Sequence, residues 1–249
     1  MRSIAVELFK FRRQPLMRNV LLAALLLTVI GIAMYGIVTR AEAAPGVDLG
    51  DRQVQRQMFG TGSANIVIAV VALLGIAGEY RHGTISTTFL TRPSRAQTIY
   101  AKLAAYSLVA VLYGVAAAAL ATGAGLAVLA TEGVGLELSG TELVSDFERD
   151  VVGLVLYAGY GLAIGGVLAN QVAGIIVLFG ETLVSEVVGF ALPEVAKFLP
   201  GQAAASLLSE QPSFSRDALS TTQGGLVFLA YVVFGIAVAI LMTRRRDIA

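Results

Sequence analysis

Few residues in this sequence could carry out covalent chemistry. The chain has a single histidine, His82, and no cysteine, which argues against a histidine-based or thiolate-based catalytic or metal site. The sequence contains no G-x-x-x-x-G-K-[ST] segment and therefore no phosphate-binding P-loop. Gly159, Gly161 and Gly165 superficially suggest a nucleotide loop, but no strand precedes them, so close helix packing is the favoured interpretation. We expect no catalytic, cofactor-binding or metal-binding residue, and no enzyme activity, in this chain.

Two carboxylates stand out because their surroundings are apolar. Glu181 falls near the middle of the stretch 172–190, and Glu186 falls nearer its end. A charge near a bilayer centre costs about 2.5–3.5 kcal/mol on insertion scales, so such residues usually face a bundle interior or a cavity. Their spacing places them ~140° apart on a helix, so they do not form a pair on one face. Both are candidates for lining a translocation path or a dimer seam. Alternatively, the helix is shifted and one of them reaches water.

The elements that must position these side chains are membrane-spanning helices. The composition is 56% hydrophobic and 14% charged, whereas soluble domains carry about 25% charged residues. A spanning helix needs ~20 apolar residues. The sequence predicts one transmembrane domain over 1–249, with six spans at 19–38, 59–78, 99–130, 149–169, 172–190 and 224–242. Ala41-Glu42-Ala43 looks like a signal-peptidase site, but the apolar run before it exceeds the ~7–15 residues of a signal core. An uncleaved first span is therefore favoured.

The distribution of basic residues predicts the orientation of these spans. Twelve of the eighteen basic residues fall in 1–18, in 79–102 and at the C-terminus, and Lys and Arg favour cytoplasmic loops. Six spans place these three segments on one side, so both termini should be cytoplasmic. The formal net charge is only +1, and we do not expect nucleic acid as a partner.

Amphipathic segments flank the spans. Ile4, Leu8 and Phe11 share a helical face in the segment 1–18, which predicts a helix lying in the membrane interface, with a solvated basic tail as the alternative. Ser139 and Glu142 have the spacing of a capping box, so a helix should begin there, outside the membrane.

The segment 79–98 predicts a further short helix between the second and third spans. Glu79 sits where such a helix could begin, which suits a positive N-terminal dipole. Ile85 and Phe89 are four residues apart and share a face, while Pro93 should end the helix. The apolar face needs either lipid headgroups or a protein partner.

This segment resembles the cytoplasmic loop of type-2 ABC transporter permeases. The similar positions are Glu79-x-Arg81-x-Gly83-Thr84, Leu90, Pro93, Arg95 and Ala101-Lys102. Other parts of the chain are similar to bacterial members of the class, namely Asn170-Gln171, Lys197-Phe198-Leu199-Pro200 and the C-terminal Arg-Arg-Asp.

The resemblance implies an all-α membrane protein with six transmembrane helices. The segment 1–18 would be an N-terminal elbow helix, and 191–222 would form short external helices between spans five and six, with an ordinary external loop as the alternative. The segment 79–98 would be a cytoplasmic coupling loop. Within it, Gly83 to Pro93 would form the coupling helix that docks in a groove of an ATPase subunit, with Ile85 and Phe89 as its apolar contact. The implied contact residues are Glu79, Arg81, Gly83, Thr84, Ile85, Phe89, Arg92 and Pro93.

The implied function is that of an exporter permease in the bacterial plasma membrane. ATP and Mg would bind a separate P-loop ABC ATPase, and a second permease copy or homologue and the lipid bilayer would be the other partners. An ATPase-linked scaffold without a transport path is an alternative. A secondary transporter is another, but it predicts internal repeats and charges in both halves, whereas both buried acids fall in one span. The residues do not indicate the substrate.

Overall fold

The computed structural model describes residues 2–40, 48–61, 64–85, 94–208 and 218–245. Every regular element within these ranges is a helix. The helices are α1 (Arg2–Arg13), α2 (Pro15–Arg40), α3 (Arg52–Phe59), α4 (Ala64–Arg81), α5 (Arg95–Glu132), α6 (Gly140–Leu168), α7 (Gln171–Ala191), α8 (Pro193–Ala196), α9 (Pro200–Leu207) and α10 (Thr221–Arg245). The segments of α2, α4, α5, α6, α7 and α10 are long and apolar enough to cross a membrane. The prediction of an all-α membrane protein with six such helices is confirmed.

Polar side chains fix the ends of several helices. Ser139 and Glu142 form the predicted capping box at the start of α6. The Asn170 carboxamide oxygen accepts hydrogen bonds from the amides of Val172 and Ala173, so α7 begins directly after the short turn that follows α6. At the start of α5, the Ser94 hydroxyl accepts a hydrogen bond from the Gln97 amide. These caps satisfy amides that have no partner within their own helix.

The centre of the bundle is the contact between α4 and α6. A Cβ atom added at Gly161 would lie 2.0 Å from the carbonyl oxygen of Ala69, and one added at Gly165 would lie 2.8 Å from that of Leu73. Neither approach leaves room for a side chain, so these glycines allow the two backbones to touch. This confirms the helix-packing interpretation of the glycines in α6.

The two ends of the bundle differ in chemistry. We call one the terminal end, because it contains α1, Arg81, Arg95, Asn170 and Arg245. The opposite end, the α3 end, is closed by α3, whose Met58 and Phe59 pack against Ile32, Leu129 and other apolar side chains of the long helices.

Polar contacts hold α3 in place. The buried carboxamide nitrogen of Gln55 donates hydrogen bonds to the carbonyl oxygens of Leu49 and Gly135. Both oxygens of the Glu142 carboxylate accept from Arg52, at 2.5 and 2.6 Å. These bonds connect α3 to the chain that leads into α6.

Some helix ends differ from the expected segment limits. Phe59, taken from the sequence as the first residue of the second span, is the last residue of α3, and α4 begins at Ala64. Between α7 and α10 the chain forms α8 and α9, two short helices separated by a turn at Lys197 and Phe198. Pro193 and Pro200 occupy the first turns of these helices, where a missing amide proton costs nothing.

Candidate functional site

The most unusual polar feature of the bundle is a group of four charged side chains at the terminal end. Glu79 lies in the last turn of α4, and Lys102 lies two turns into α5. The Lys102 side chain is only 1% exposed. Its ammonium nitrogen lies 2.8 Å from Oε1 of Glu79 and 3.0 Å from the carbonyl oxygen of Gly75. These contacts join the two helices that flank the segment 82–94.

Helix α1 supplies the other two charges. Glu7 is 3% exposed, and its Oε2 lies 2.8 Å from the Lys102 ammonium. The Lys10 ammonium lies 2.8 Å from Oε1 of Glu79 and 3.3 Å from Oε1 of Glu7. We call Glu7, Lys10, Glu79 and Lys102 the ion cluster. It connects α1 to α4 and α5, both of which lie far from α1 in the sequence.

The charges of the ion cluster are formally balanced. Burying a charge costs several kcal/mol unless oppositely charged partners and hydrogen bonds compensate it. Each carboxylate of the cluster contacts both lysines, and each lysine contacts both carboxylates. Removing any one partner would therefore leave a buried charge with too little compensation.

Apolar contacts hold α1 on the ion cluster. Leu8 and Phe11 pack against the core of the bundle, and the Phe11 ring meets the Tyr106 ring edge-on with centroids 6.3 Å apart. Tyr106 fits beside α4 only because residue 75 is glycine, since a Cβ atom there would lie 1.7 Å from the tyrosine oxygen. Packing and ion pairing therefore act on the same three helices.

The expected contact residues of the 79–98 segment have different environments. Glu79 lies in the last turn of α4 and not at the start of a new helix. The helix dipole disfavours an acid at this end of a helix, and the two lysines of the ion cluster compensate the charge.

The other expected contact residues are exposed, buried or outside the described part of the chain. Arg81 is exposed and donates to Oε1 of Gln171. Gly83 and Thr84 are exposed, and Ile85 is buried. Phe89, Arg92 and Pro93 lie outside the described residues.

Gly83 explains how the chain leaves α4. Its φ of +66° lies in the left-handed region, which glycine adopts without the strain that a side chain would cause. The chain therefore turns sharply directly after the last turn of α4, beside the ion cluster.

Sequence reasoning did not find two members of the ion cluster. Glu7 and Lys10 belong to the segment that was expected to form an amphipathic elbow helix. A signal was present, because Glu7 is three residues after Ile4 and four before Phe11, so an acid occupies the apolar face. An acid on a face directed toward a membrane bundle predicts a buried cationic partner.

The acidic residues of α7 lie away from the ion cluster. Oε1 of Glu181 accepts hydrogen bonds from the Ser185 hydroxyl at 2.7 Å and from the Gly201 amide at 2.8 Å. Gly201 is in the first turn of α9, which has no side-chain cap of its own. Glu186 is exposed. Glu181 therefore connects α7 to α9, while Glu186 faces outward from this chain.

Ligand sets for a metal ion are not found in the part of the chain that the structure describes. No group of three or more histidine, aspartate or glutamate side chains there is placed to hold an ion. The ion cluster itself combines carboxylates with lysine ammonium groups, which suits ion pairing and not metal coordination.

The fold and the ion cluster define a multi-pass helical membrane protein whose α1 is joined to both flanks of one interhelical loop. Residues 3–179 match the family described as ABC-2 family transporter protein. The chain belongs to this family and is a permease subunit of an ABC transporter, a membrane component that is not itself catalytic. The family implies association with ABC ATPases. No curated protein matches the chain. The matched range contains the whole ion cluster and ends before Glu181.

Proposed function

We propose that this permease subunit is part of an exporter, and that its segment 79–98 is a cytoplasmic coupling loop that contacts a separate P-loop ABC ATPase. The ATPase would bind ATP and Mg, since this sequence has no P-loop of its own. The terminal end then faces the cytoplasm, in agreement with the concentration of basic residues there. The family supports the ATPase partnership in general terms, and the geometry beside the loop supports its location.

The ion cluster is the observation that supports this location best. Lys102 joins Glu79 on one flank of the loop to α5 on the other, and Glu7 joins both to α1. A force applied to the loop would have to separate buried opposite charges before it could move one of these helices alone, which costs several kcal/mol. We therefore propose that α1, α4 and α5 move as one unit when the ATPase displaces the loop.

The exposed residues next to the cluster are suited to contact with a partner. Arg81, Gly83 and Thr84 are exposed at the point where the chain leaves α4. Ile85 is buried, so in this state it anchors the loop and does not offer an apolar surface. We propose that Phe89 provides the apolar contact with the ATPase, with Arg92 and Pro93 beside it.

We also propose that a second permease copy or homologue completes the translocation path. Such a partner would cover part of α7, whose outward side chains include Leu183, Val187 and Glu186. Glu186 would then line the path or the seam between the two permeases. Glu181 lies on the same helix, but its carboxylate bonds to the first turn of α9. In this proposal α9 lies between Glu181 and the path.

The test is co-purification of the full chain with a co-expressed P-loop ABC ATPase, for which the neighbouring reading frames are the first place to search. We expect Phe89→Asp to abolish co-purification, because a carboxylate cannot enter an apolar groove without a partner. Phe198→Asp is the matched control, since Phe198 is a half-exposed phenylalanine at the α3 end. It should leave co-purification unchanged. Full co-purification of the Phe89→Asp variant, with unchanged ATPase activity, would refute the docking assignment.

A further inference from the structure

An apolar groove lies between α5, α6 and α10 on the outer surface of the bundle. It has a volume of about 390 Å³, and its walls include Leu103, Gly159, Val232, Val233 and Ile236. The only side-chain hydroxyls in its lining belong to Tyr100 and Ser107. Because all three helices belong to segments long and apolar enough to cross a membrane, the groove opens toward the acyl chains of the bilayer.

The length and position of the groove match one leaflet. Its lining on α10 extends from Leu229 to Ile240, which is ~16 Å at 1.5 Å per residue. The hydrocarbon core of a bilayer is ~30 Å thick, so the groove spans about half of it. Ile240 is near the C-terminal end of α10, and Tyr100 is near the N-terminal end of α5. The groove therefore begins near the terminal end and extends to just past the middle of α10, where Leu229 lies.

Cationic groups lie at the interfacial end of the groove. Arg244 is exposed and follows Ile240 by one helical turn, so its side chain is on the same face of α10 as the groove lining. The Arg95 guanidinium donates to the carbonyl oxygens of Thr243 and Arg244, at 2.9 and 3.5 Å. This contact neutralises the negative C-terminal end of the α10 dipole, which would otherwise repel an anion. Tyr100 is half-exposed and lies five residues after Arg95 on α5, which is ~7.5 Å further along the helix. Aromatic residues near a helix end favour the membrane interface.

We propose that this groove binds one acyl chain of an anionic phospholipid, whose phosphate lies at Arg244 and Arg95. The proposal follows from the one-leaflet length, the apolar lining and the cationic mouth, and it needs only that the chain spans a bilayer. A neutral lipid would satisfy the lining but not the arginines. A second copy of this chain would match the groove equally well only if it placed an acidic group against the same two arginines.

The absence of tryptophan from the sequence makes a direct test possible. In the full chain reconstituted into vesicles, Val233→Trp places a fluorophore at the groove, and Leu27→Trp places one on α2. The two side chains are equally exposed, at 60% each, and both lie near the middle of their helices. Quenching is measured with phosphatidylglycerol or phosphatidylcholine brominated in mid-chain, each at the same low fraction in unbrominated phosphatidylcholine.

We expect brominated phosphatidylglycerol to quench the Val233→Trp fluorophore about fivefold more effectively than brominated phosphatidylcholine. That factor corresponds to the ~1 kcal/mol that one basic residue contributes near a membrane surface. The two lipids should quench the Leu27→Trp fluorophore equally. Adding Arg244→Gln should bring the ratio at residue 233 close to one, while Arg244→Lys should keep it. Arg245→Gln should also keep it, because Arg245 points ~140° away from Ile240.

Equal quenching of the residue 233 fluorophore by both lipids would overturn the proposal. So would a ratio that Arg244→Gln leaves unchanged. Weak quenching of this fluorophore by both lipids, below that at residue 27, would show that a second copy covers the groove and would also overturn the proposal. An unchanged melting temperature in each variant shows that the effects do not come from unfolding.

Discussion

The Lys102 ammonium nitrogen lies 2.8 Å from Oε2 of Glu7, a residue 95 positions earlier in the chain. Both side chains are almost completely buried. The pair connects the first helix of the chain to the helix that follows the proposed coupling segment. Because Glu79 also contacts Lys102, one lysine holds three helices together at the terminal end.

Replacing Lys102 by methionine should strongly destabilise the protein. Among the described residues, the change leaves Lys10 as the ammonium partner of Glu7 and Glu79. Breaking a buried ion pair from one side costs about 3–5 kcal/mol. Thermal unfolding of the purified full chain measures this loss. Lys197→Met is the matched control, since Lys197 pairs with the exposed Glu194 and such a pair contributes at most about 1 kcal/mol.

Charge balance, and not the lysine itself, is the expected cause of this effect. Glu7→Gln combined with Lys102→Met leaves the 2.8 Å pair between Lys10 and Glu79. The double variant should therefore unfold at a higher temperature than Lys102→Met alone, because the two effects are coupled through direct contact. If the double variant were less stable by the sum of the single effects, the ion cluster would not act as a balanced unit.

Replacing Gly161 by alanine should destabilise the fold. The new Cβ atom would lie 2.0 Å from the Ala69 carbonyl oxygen, and a backbone atom in the centre of the bundle cannot rotate away. Overpacking of this kind costs about 1–3 kcal/mol and sometimes more. Gly123→Ala is the control, because no atom lies within 4 Å of a Cβ atom built there. It should be neutral or stabilising by up to ~1 kcal/mol, given the higher helix propensity of alanine.

The measurement is the melting temperature of both variants, together with the yield of monodisperse protein. Equal stability of the two variants would mean that α4 and α6 can separate without cost. That result would contradict the close contact seen between these helices.

Periodicity and hydropathy were enough to predict the helical class and the six apolar segments. Local signals were equally readable, since the Ser139 and Glu142 spacing alone predicted the capping box that begins α6. These features depend on residues that are close in sequence. Helix propensity, capping and bilayer length therefore determine them without tertiary information.

The ion cluster could be predicted only in part. Glu79 and Lys102 stood in the loop motif, and the acid on the apolar face of α1 indicated a buried cation. No local signal identified Lys102 as that cation, because it lies 95 positions from Glu7 in the sequence. Lys102 lies in α5, inside a segment that reads as a simple span. Pairing between residues on different helices depends on how the helices pack, which a single sequence does not specify.

The capping box at α6 should make the α3 end resistant to mild acid. Hydrogen bonds from the Ser139 amide and hydroxyl, with the charges of Arg52 and Arg56, lower the pKa of Glu142 from 4.5 to about 2. Glu142 precedes the apolar part of α6, which begins at Val151. Because the pKa is lower in the folded state, the ionised carboxylate stabilises the fold above pH 4.5, and this contribution is lost as the pH falls toward 2.

Glu142→Gln should therefore lower the melting temperature by the same amount at pH 7 and pH 5. The deficit should shrink between about pH 4.5 and pH 2. As the pH falls through this range, the carboxylate is protonated first in the unfolded state, near pH 4.5, and then in the folded state, near pH 2. Glu148→Gln, an exposed residue on the same helix, should show no such deficit. A deficit that already disappears at pH 5 would mean that the pKa of Glu142 is not lowered.

Glu181 should be replaceable by a neutral acceptor but not by an apolar residue. Its Oε1 accepts hydrogen bonds from the Ser185 hydroxyl and the Gly201 amide, and it takes the place of a side-chain cap at α9. Gln keeps an oxygen in this position, whereas Leu leaves the amide of the first turn without its acceptor, at a cost of about 1–3 kcal/mol.

Hydrogen exchange at the Gly201 amide should accelerate about tenfold or more in Glu181→Leu and change little in Glu181→Gln. Glu186→Leu, on the exposed side of α7, should not affect it. If Glu181→Gln accelerated exchange as much as Glu181→Leu, the negative charge and not the hydrogen bond would hold α9, and the carboxylate would have to remain ionised beside the proposed translocation path.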